Sequence, residues 1–175
     1  DGDSLSPDGS FCVSPVATSD LGAAVATITL GGQIMLLPES TFTGTCTADS
    51  SFSICLSKAM GIKCLDVQNK CILDGLDSKR VMYIYSGSNQ EDSTAVVLEG
   101  LKFVNGRSSQ YGGGLYISSS SVKVISCDFS NNYASERGGG IYVENSIFKV
   151  YASSFTSNIA SDDSRYIYHS SGNNG

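Results

Sequence analysis

Few residues in this 175-residue chain could do chemistry, and their spacing argues mostly against catalysis. Asp162-Asp163 is the acidic doublet a glycosidase could use, one carboxylate as acid and the other as base or nucleophile. It lacks the Asn-Thr-Asp, Gly-His or Arg-Ile-Lys companions that polysaccharide-cleaving sites carry, so a solvated turn is expected. His169, the lone histidine, is inward by register near the chain end and is expected at the surface or in end packing rather than as a general base. No serine sits in Gly-x-Ser-x-Gly, and a single histidine leaves a catalytic triad few ways to form. Gly112–Gly114 and Gly138–Gly140 lack the Lys-Ser/Thr ending of a phosphate loop and read as tight turns. No catalytic residue, metal ligand or cofactor is expected.

The tyrosines are the stronger lead. Tyr116, Tyr142 and Tyr168 recur at a step of 26, and Tyr85 is expected to extend them by one turn. Parallel rungs lie about 4.8 Å apart, so such rings would form an outward stripe roughly 15 Å long. The stripe could hold the apolar face of a sugar or pack on another protein. Equally, the tyrosines could do no more than stabilise a strand surface by stacking.

What positions them is a repeat. Gly112-Gly113-Gly114-Leu115-Tyr116-Ile117, Gly138-Gly139-Gly140-Ile141-Tyr142-Val143 and Ser164-Arg165-Tyr166-Ile167-Tyr168-His169 share the step of 26 with Phe103, Phe129 and Phe155. A fixed period of this size marks a solenoid. Within each repeat the apolar residues alternate, as Val122, Val124, Cys127 and Phe129 do, which means half-buried strand. The inward register slips at Glu99-Gly100, Ile125-Ser126 and Tyr151-Ala152, as it would at a corner. Three short strands per turn and no room for a helix predict an all-β, parallel β-helix. Asn131, Asn132 and Asn158 are expected to form an asparagine ladder in the turns.

Gly113-Gly114-Leu115-Tyr116 and Gly139-Gly140-Ile141-Tyr142, with Phe129-Ser-Asn-Asn132 and Phe155-Thr-Ser-Asn158 between them, resemble the GG-x-[ILY] and F-x-x-N repeats of the chlamydial polymorphic outer-membrane proteins. That family lies within the pectin-lyase-like group of right-handed β-helices. The resemblance covers residues 96–169; Phe103-Val-Asn-Gly106 and Ser164-Arg165-Tyr166 depart from it. It implies a right-handed parallel β-helix and adhesion or surface display rather than catalysis. The order of a short helix, Gly-Gly-x-Ile and Leu-Pro-Glu-x-Thr-Phe near residues 20–42 also resembles the opening of many pectin-lyase-like chains.

Earlier in the chain the pattern is looser. Residues 1–17 read as an irregular lead-in, and 18–175 as the β-helix. Ser19-Asp20 offers an N-cap for a short capping helix over the first rung, and Gln33 to Phe42 reads as strand and turn. Short strands follow at Ile54–Leu56, Gly61–Cys64 and Cys71–Leu76, with Leu73-Asp74-Gly75-Leu76 matching Leu98-Glu99-Gly100-Leu101, and then Val81–Tyr85. Ser86 to Thr94 reads as a projecting loop. The total is about five turns.

Charge and cysteines bound the setting. Only 16% of residues are charged, the net charge is −6, and no basic patch forms, so neither nucleic acid nor an anionic membrane surface is an expected partner. No apolar run is long enough to span a membrane. Six cysteines, without C-x-x-C pairs, point to disulfides in an oxidising compartment rather than to zinc. The candidates are Cys12, Cys46, Cys55, Cys64 and Cys71; of fifteen pairings, Cys64 with Cys71 and Cys46 with Cys55 are expected. Cys127 is expected to be a buried free thiol. No asparagine begins an Asn-x-Ser/Thr site, so secretion and an oxidising organelle lumen remain equally open. The chain begins with Asp, without a leader, and closes on Ser-Ser-Gly-Asn-Asn-Gly without an amphipathic cap; it reads as processed or partial, its last rung continued or covered by a neighbour. The expectation is a non-catalytic structural or adhesive module with protein partners in a larger assembly. The competing class is a carbohydrate-binding or polysaccharide-active protein, a lyase or a hydrolase.

Overall fold

Alternation with a slip at each corner folds the chain into a parallel β-solenoid of five turns. The structure is a computed structural model and describes residues 4–5, 10–13, 20–46, 50–86, 95–162 and 165–170. Face one stacks Gln33–Leu36, Gly61–Cys64, Val96–Glu99, Ser121–Ile125 and Ile147–Tyr151. Face two stacks Thr41–Phe42, Cys71–Asp74, Leu101–Val104, Asp128–Ser130 and Ser154–Thr156. Face three stacks Phe52–Leu56, Arg80–Ile84, Leu115–Ser118, Ile141–Glu144 and Ile167–Ser170. Between faces two and three, the last three turns add a short ladder the alternation did not reveal: Arg107–Ser108, Tyr133–Ala134 and Ile159–Ala160. Two-residue strands are too short to carry a period.

The expected corner between faces one and two has a physical cause. Gly100, Ser126 and Ala152 stand there at φ of 69°, 51° and 46°. A left-handed residue between two extended ones turns the chain and resets which side chains face inward.

In-register pairing makes the core a set of columns. Phe42, Leu73, Phe103, Phe129 and Phe155 lie one above another, and the last three rings stack with centroids 4.5 and 5.0 Å apart. Fully burying such a ring is worth about 1.5–3 kcal/mol, and stacking adds roughly 0.5–1.5 kcal/mol per pair. Ile54, Met82, Leu115, Ile141 and Ile167 make a second column on face three. Cys127 is buried and free, and desolvation pushes its thiol pKa up to about 11, so it stays protonated and inert.

The turn after face two is held by buried amides. Asn132 Nδ2 donates to Phe103 O at 3.0 Å and to Asn158 Oδ1 at 2.9 Å, while Asn132 Oδ1 accepts from Gly106 N at 2.9 Å. Asn158 repeats the pattern one turn on, donating to Phe129 O. The expected ladder is therefore Asn132 and Asn158 but not Asn131, which is exposed with φ 57° and serves as the left-handed turn residue. Gly106 takes the ladder position in the preceding turn, where a Cβ would come within 2.0 Å of Gly113 O. The departure from F-x-x-N thus has a steric reason.

At the N-terminal end, Leu21–Thr27 forms the expected helix, and Asp20 Oδ1 caps it by accepting from Gly22 N at 2.8 Å. Its buried Leu21, Ala24 and Val25 join the core beside the first strand of face three. Residues 1–17 are not wholly irregular: Ser10–Val13 pairs parallel with Gln33–Leu36, and Ser4–Leu5 pairs antiparallel with it. Leu73-Asp74 aligns with Phe103-Val104 rather than with Leu98-Glu99, because Cys71–Asp74 belongs to face two. The disulfides are Cys46–Cys55 and Cys64–Cys71, with Cα atoms 5.4 and 5.6 Å apart. The Cys12 side chain and residues 87–94 of the expected loop lie outside the described residues.

Two stability outcomes follow. Asn132→Ala should cost about 3 kcal/mol in urea unfolding, since it orphans buried backbone groups, against about 1 kcal/mol for Asn131→Ala, which loses only a tolerant left-handed residue. Opening either disulfide by paired Cys→Ser substitution should cost about 2 kcal/mol, as expected for loops this short.

Candidate functional site

The outward position of face three carries the aromatic stripe. Tyr116, Tyr142 and Tyr168 pair in register. Below them stands Tyr83, not Tyr85: Met82 and Ile84 are the inward residues paired with Leu115 and Ile117, so Tyr83 lies between them and pairs with Tyr116. Tyr85 is two residues further along and half exposed, with its ring 6.5 Å from Tyr83. Placing Tyr83 needs the inward pair Met82/Ile84 as the guide, because the insertion after Tyr85 breaks the step of 26. Phe52 closes the stripe at its base, 4.7 Å from Tyr83.

The rings do not all face solvent. Tyr83–Tyr116 centroids are 5.2 Å apart, Tyr116–Tyr142 5.2 Å edge to face, and Tyr142–Tyr168 5.3 Å stacked. Tyr142 points away from the solenoid core as expected, yet it is only 6% exposed. Tyr111, which sequence reasoning missed, stacks on it at 4.6 Å from the preceding turn. Tyr83, Tyr116 and Tyr168 are half-buried and keep part of each ring accessible.

Polar partners fix the hydroxyls. Tyr116 OH donates to Glu144 Oε2 at 2.7 Å. Arg137 Nη1 donates to Tyr168 OH at 2.8 Å, its guanidinium carbon lies 4.7 Å from the Tyr168 centroid, and its Nε pairs with Asp162 Oδ2 at 3.0 Å. Burial, then the Glu144 hydrogen bond and charge, raise the Tyr116 phenol well above the ordinary range. Burial and the Glu144 charge raise Tyr142, and a hydrogen bond to Glu136 raises Tyr111.

The residues weighed for catalysis are not gathered. Asp162 is taken up by Arg137, and Asp163 lies outside the described residues. His169 takes the inward register position, paired with Val143, and is exposed as expected, because no described residue stands over it. Among the described residues, no three His, Cys, Asp or Glu side chains group as metal ligands, and no helix is long and apolar enough to cross a membrane.

A stacked fold with a tyrosine at one position of four successive rungs defines a class: a β-solenoid scaffold that presents a side-chain stripe. One of its turns can be placed further. Residues 126–144 match the sequence model of the Chlamydia polymorphic membrane protein repeat, so the expected resemblance is met in that turn. The matched segment runs from the left-handed corner at Ser126, through Phe129 of the ring column and Asn132 of the amide ladder, to the tight turn and Ile141-Tyr142 of face three. Gly138 opens that turn at φ 64°, and a Cβ on Gly139 would lie 2.5 Å from Ile159 O. No curated protein and no solved structure matches the chain significantly.

The stripe also sets an alkaline limit. Its raised phenols contribute stability that is complete below the unfolded tyrosine pKa near 10 and is lost as pH rises through the higher folded values. A spectrophotometric titration should show tyrosines ionising later than free tyrosine, with unfolding following; Tyr116→Phe should remove the latest of them.

Proposed function

We infer that the protein is a non-catalytic structural or adhesive module that presents the stripe of face three to protein partners within a larger extracellular or lumenal assembly. The supporting observation is the stripe itself. Tyr83, Tyr116 and Tyr168 keep part of each ring accessible within a stack that the buried Phe52 and Tyr142 make continuous, pre-ordered and therefore cheap in side-chain entropy to bury against a partner. Tyrosine held this way is favoured at protein interfaces. The matched repeat bears the name of a membrane-protein family, which supports surface association, and two disulfides support an oxidising compartment. Lyase or hydrolase action forms no part of this reading: among the described residues, Asp162 of the acidic doublet is taken up by Arg137.

The test is the native mass of the protein purified gently from its source, compared with that of a Tyr83→Ser/Tyr168→Ser variant. The wild type should travel in a particle well above its own 18.4 kDa. The variant should leave that particle while keeping its strand-dominated circular dichroism. A wild-type monomer that cleaves polysaccharide would overturn the reading.

A further inference from the structure

The corner between faces two and three carries a second surface, remote in character from the tyrosine stripe. Arg107 and Tyr133 stand in register on the short ladder, with Arg107 N donating to Lys79 O one rung below at 2.8 Å. Beside them opens a cavity of about 410 Å³. Its wall is Arg80, Arg107, Tyr133 and five serines, Ser51, Ser109 and Ser135 among them, with no carboxylate among the described lining residues.

This cavity is built rather than incidental. Arg80 is only 9% exposed. Its Nε donates to Tyr111 O at 2.7 Å, its Nη1 donates to Ser51 Oγ at 3.3 Å, and its guanidinium carbon lies 4.8 Å from the Phe52 ring centroid. Held by these contacts, Arg80 forms the floor. Arg107 is exposed above it, its guanidinium carbon 4.9 Å from the Tyr133 centroid. Stacking of that kind orients a guanidinium while leaving its in-plane N–H groups to bind an anion bidentately. Ser135 Oγ donates to Ser109 O, which lines the rim with a regular row of hydroxyls.

In a chain of net charge −6, one concavity therefore sets the exposed, ring-oriented guanidinium of Arg107 beside a wall of hydroxyls. We propose that this cavity binds an acidic sugar residue of a glycan. The carboxylate or sulfate ester meets Arg107 over the Arg80 floor, and the ring hydroxyls exchange hydrogen bonds with the serines. An acidic peptide fits less well. The backbone along this corner is already paired between rungs, through Arg107 N to Lys79 O, Tyr133 N to Gly106 O and Ser135 N to Ser108 O, so no strand edge is open to a peptide.

The test is calorimetric titration of the whole chain at low ionic strength, where such contacts are least screened. The probes are a uronic-acid oligosaccharide, a sulfated oligosaccharide of equal length, a neutral glucose oligosaccharide and oligoglutamate. One or both acidic sugars should bind and the neutral one should not; which of them binds separates carboxylate from sulfate ester. Arg107→Ala should weaken binding at least tenfold, and Ser109→Asp, which brings a carboxylate to the rim, should do the same, both with unchanged circular dichroism. Tyr168→Ser alone, which leaves Tyr83 stacked on Phe52, should keep sugar binding intact while weakening the assembly, so this result stands or falls separately from the assembly reading. Absence of acidic-sugar binding, equal binding of the neutral sugar, tighter binding of oligoglutamate, or an Arg107→Ala variant of wild-type affinity would each overturn the proposal.

Discussion

In the last two turns each paired residue stands directly on its counterpart 26 positions earlier, and the hydrogen bonds between rungs permit no other register. A shift of one residue would turn the whole inward set to solvent. Side chains that tolerate stacking on themselves are therefore what such a fold selects. Phenylalanine does so inside through ring contact, and asparagine does so at the turn, where each amide both donates to and accepts from the rungs beside it. Asn132 and Asn158 carry the same constraint in polar form, since their amides satisfy backbone groups that the tight turn leaves unpaired.

The outside obeys the same rule. Tyr116, Tyr142 and Tyr168 make a stripe because the register stacks them, and Ser109, Ser135 and Ser161 make a row for the same reason. Surface function on such a scaffold arises either from a column of like residues or from the place where a column changes character. The tyrosine stripe is the first kind. The cavity beside Arg107 and Tyr133 is the second, since an arginine, a tyrosine and Ile159 succeed one another at one position of the short ladder.

This distinction explains what could be read beforehand. The Phe103, Phe129 and Phe155 column, the corner slips and the three upper tyrosines are visible because the step holds there. Lower down, insertions separate partners by more than 26: Tyr83 pairs with Tyr116 across 33 positions and Ile62 with Leu98 across 36. Counting back 26 from Tyr116 reaches Gln90 rather than a tyrosine, and without the inward pair Met82/Ile84 nothing chooses Tyr83 over Tyr85. Asn131 and Asn132 are alike in composition, and only the backbone angle at Asn131 tells the turn residue from the ladder residue. The cavity draws Ser51, Arg80, Arg107 and Ser135 from four segments, so no local motif announces it. Ser10–Val13 joins face one through pairing with Gln33–Leu36, a contact that composition cannot foresee.

Stacking also accounts for the sparse charge. Two like charges on adjacent rungs, about 4.8 Å apart, repel by roughly 1 kcal/mol in water and up to about 4 kcal/mol at a protein surface, and a longer column multiplies the cost. Face one does place Lys123 on Lys149 in register, but elsewhere opposite charges meet. Lys63 pairs with Glu99 at 3.3 Å, and Lys70 reaches Asp128 at 2.7 Å. Asp128 itself stands between Lys102 and Ser154 in its column. Burial would raise the Asp128 carboxyl, but hydrogen bonds from Lys70 and Ser154 outweigh it and hold the group below its usual range. A repeated cluster of acids, which polysaccharide cleavage needs on one face, works against this economy of charge. Neutral columns of tyrosine and serine do not, and a cation such as Arg107 is accommodated where its column neighbour is an aromatic ring. The energetics of the repeat thus favour neutral columns at the surface.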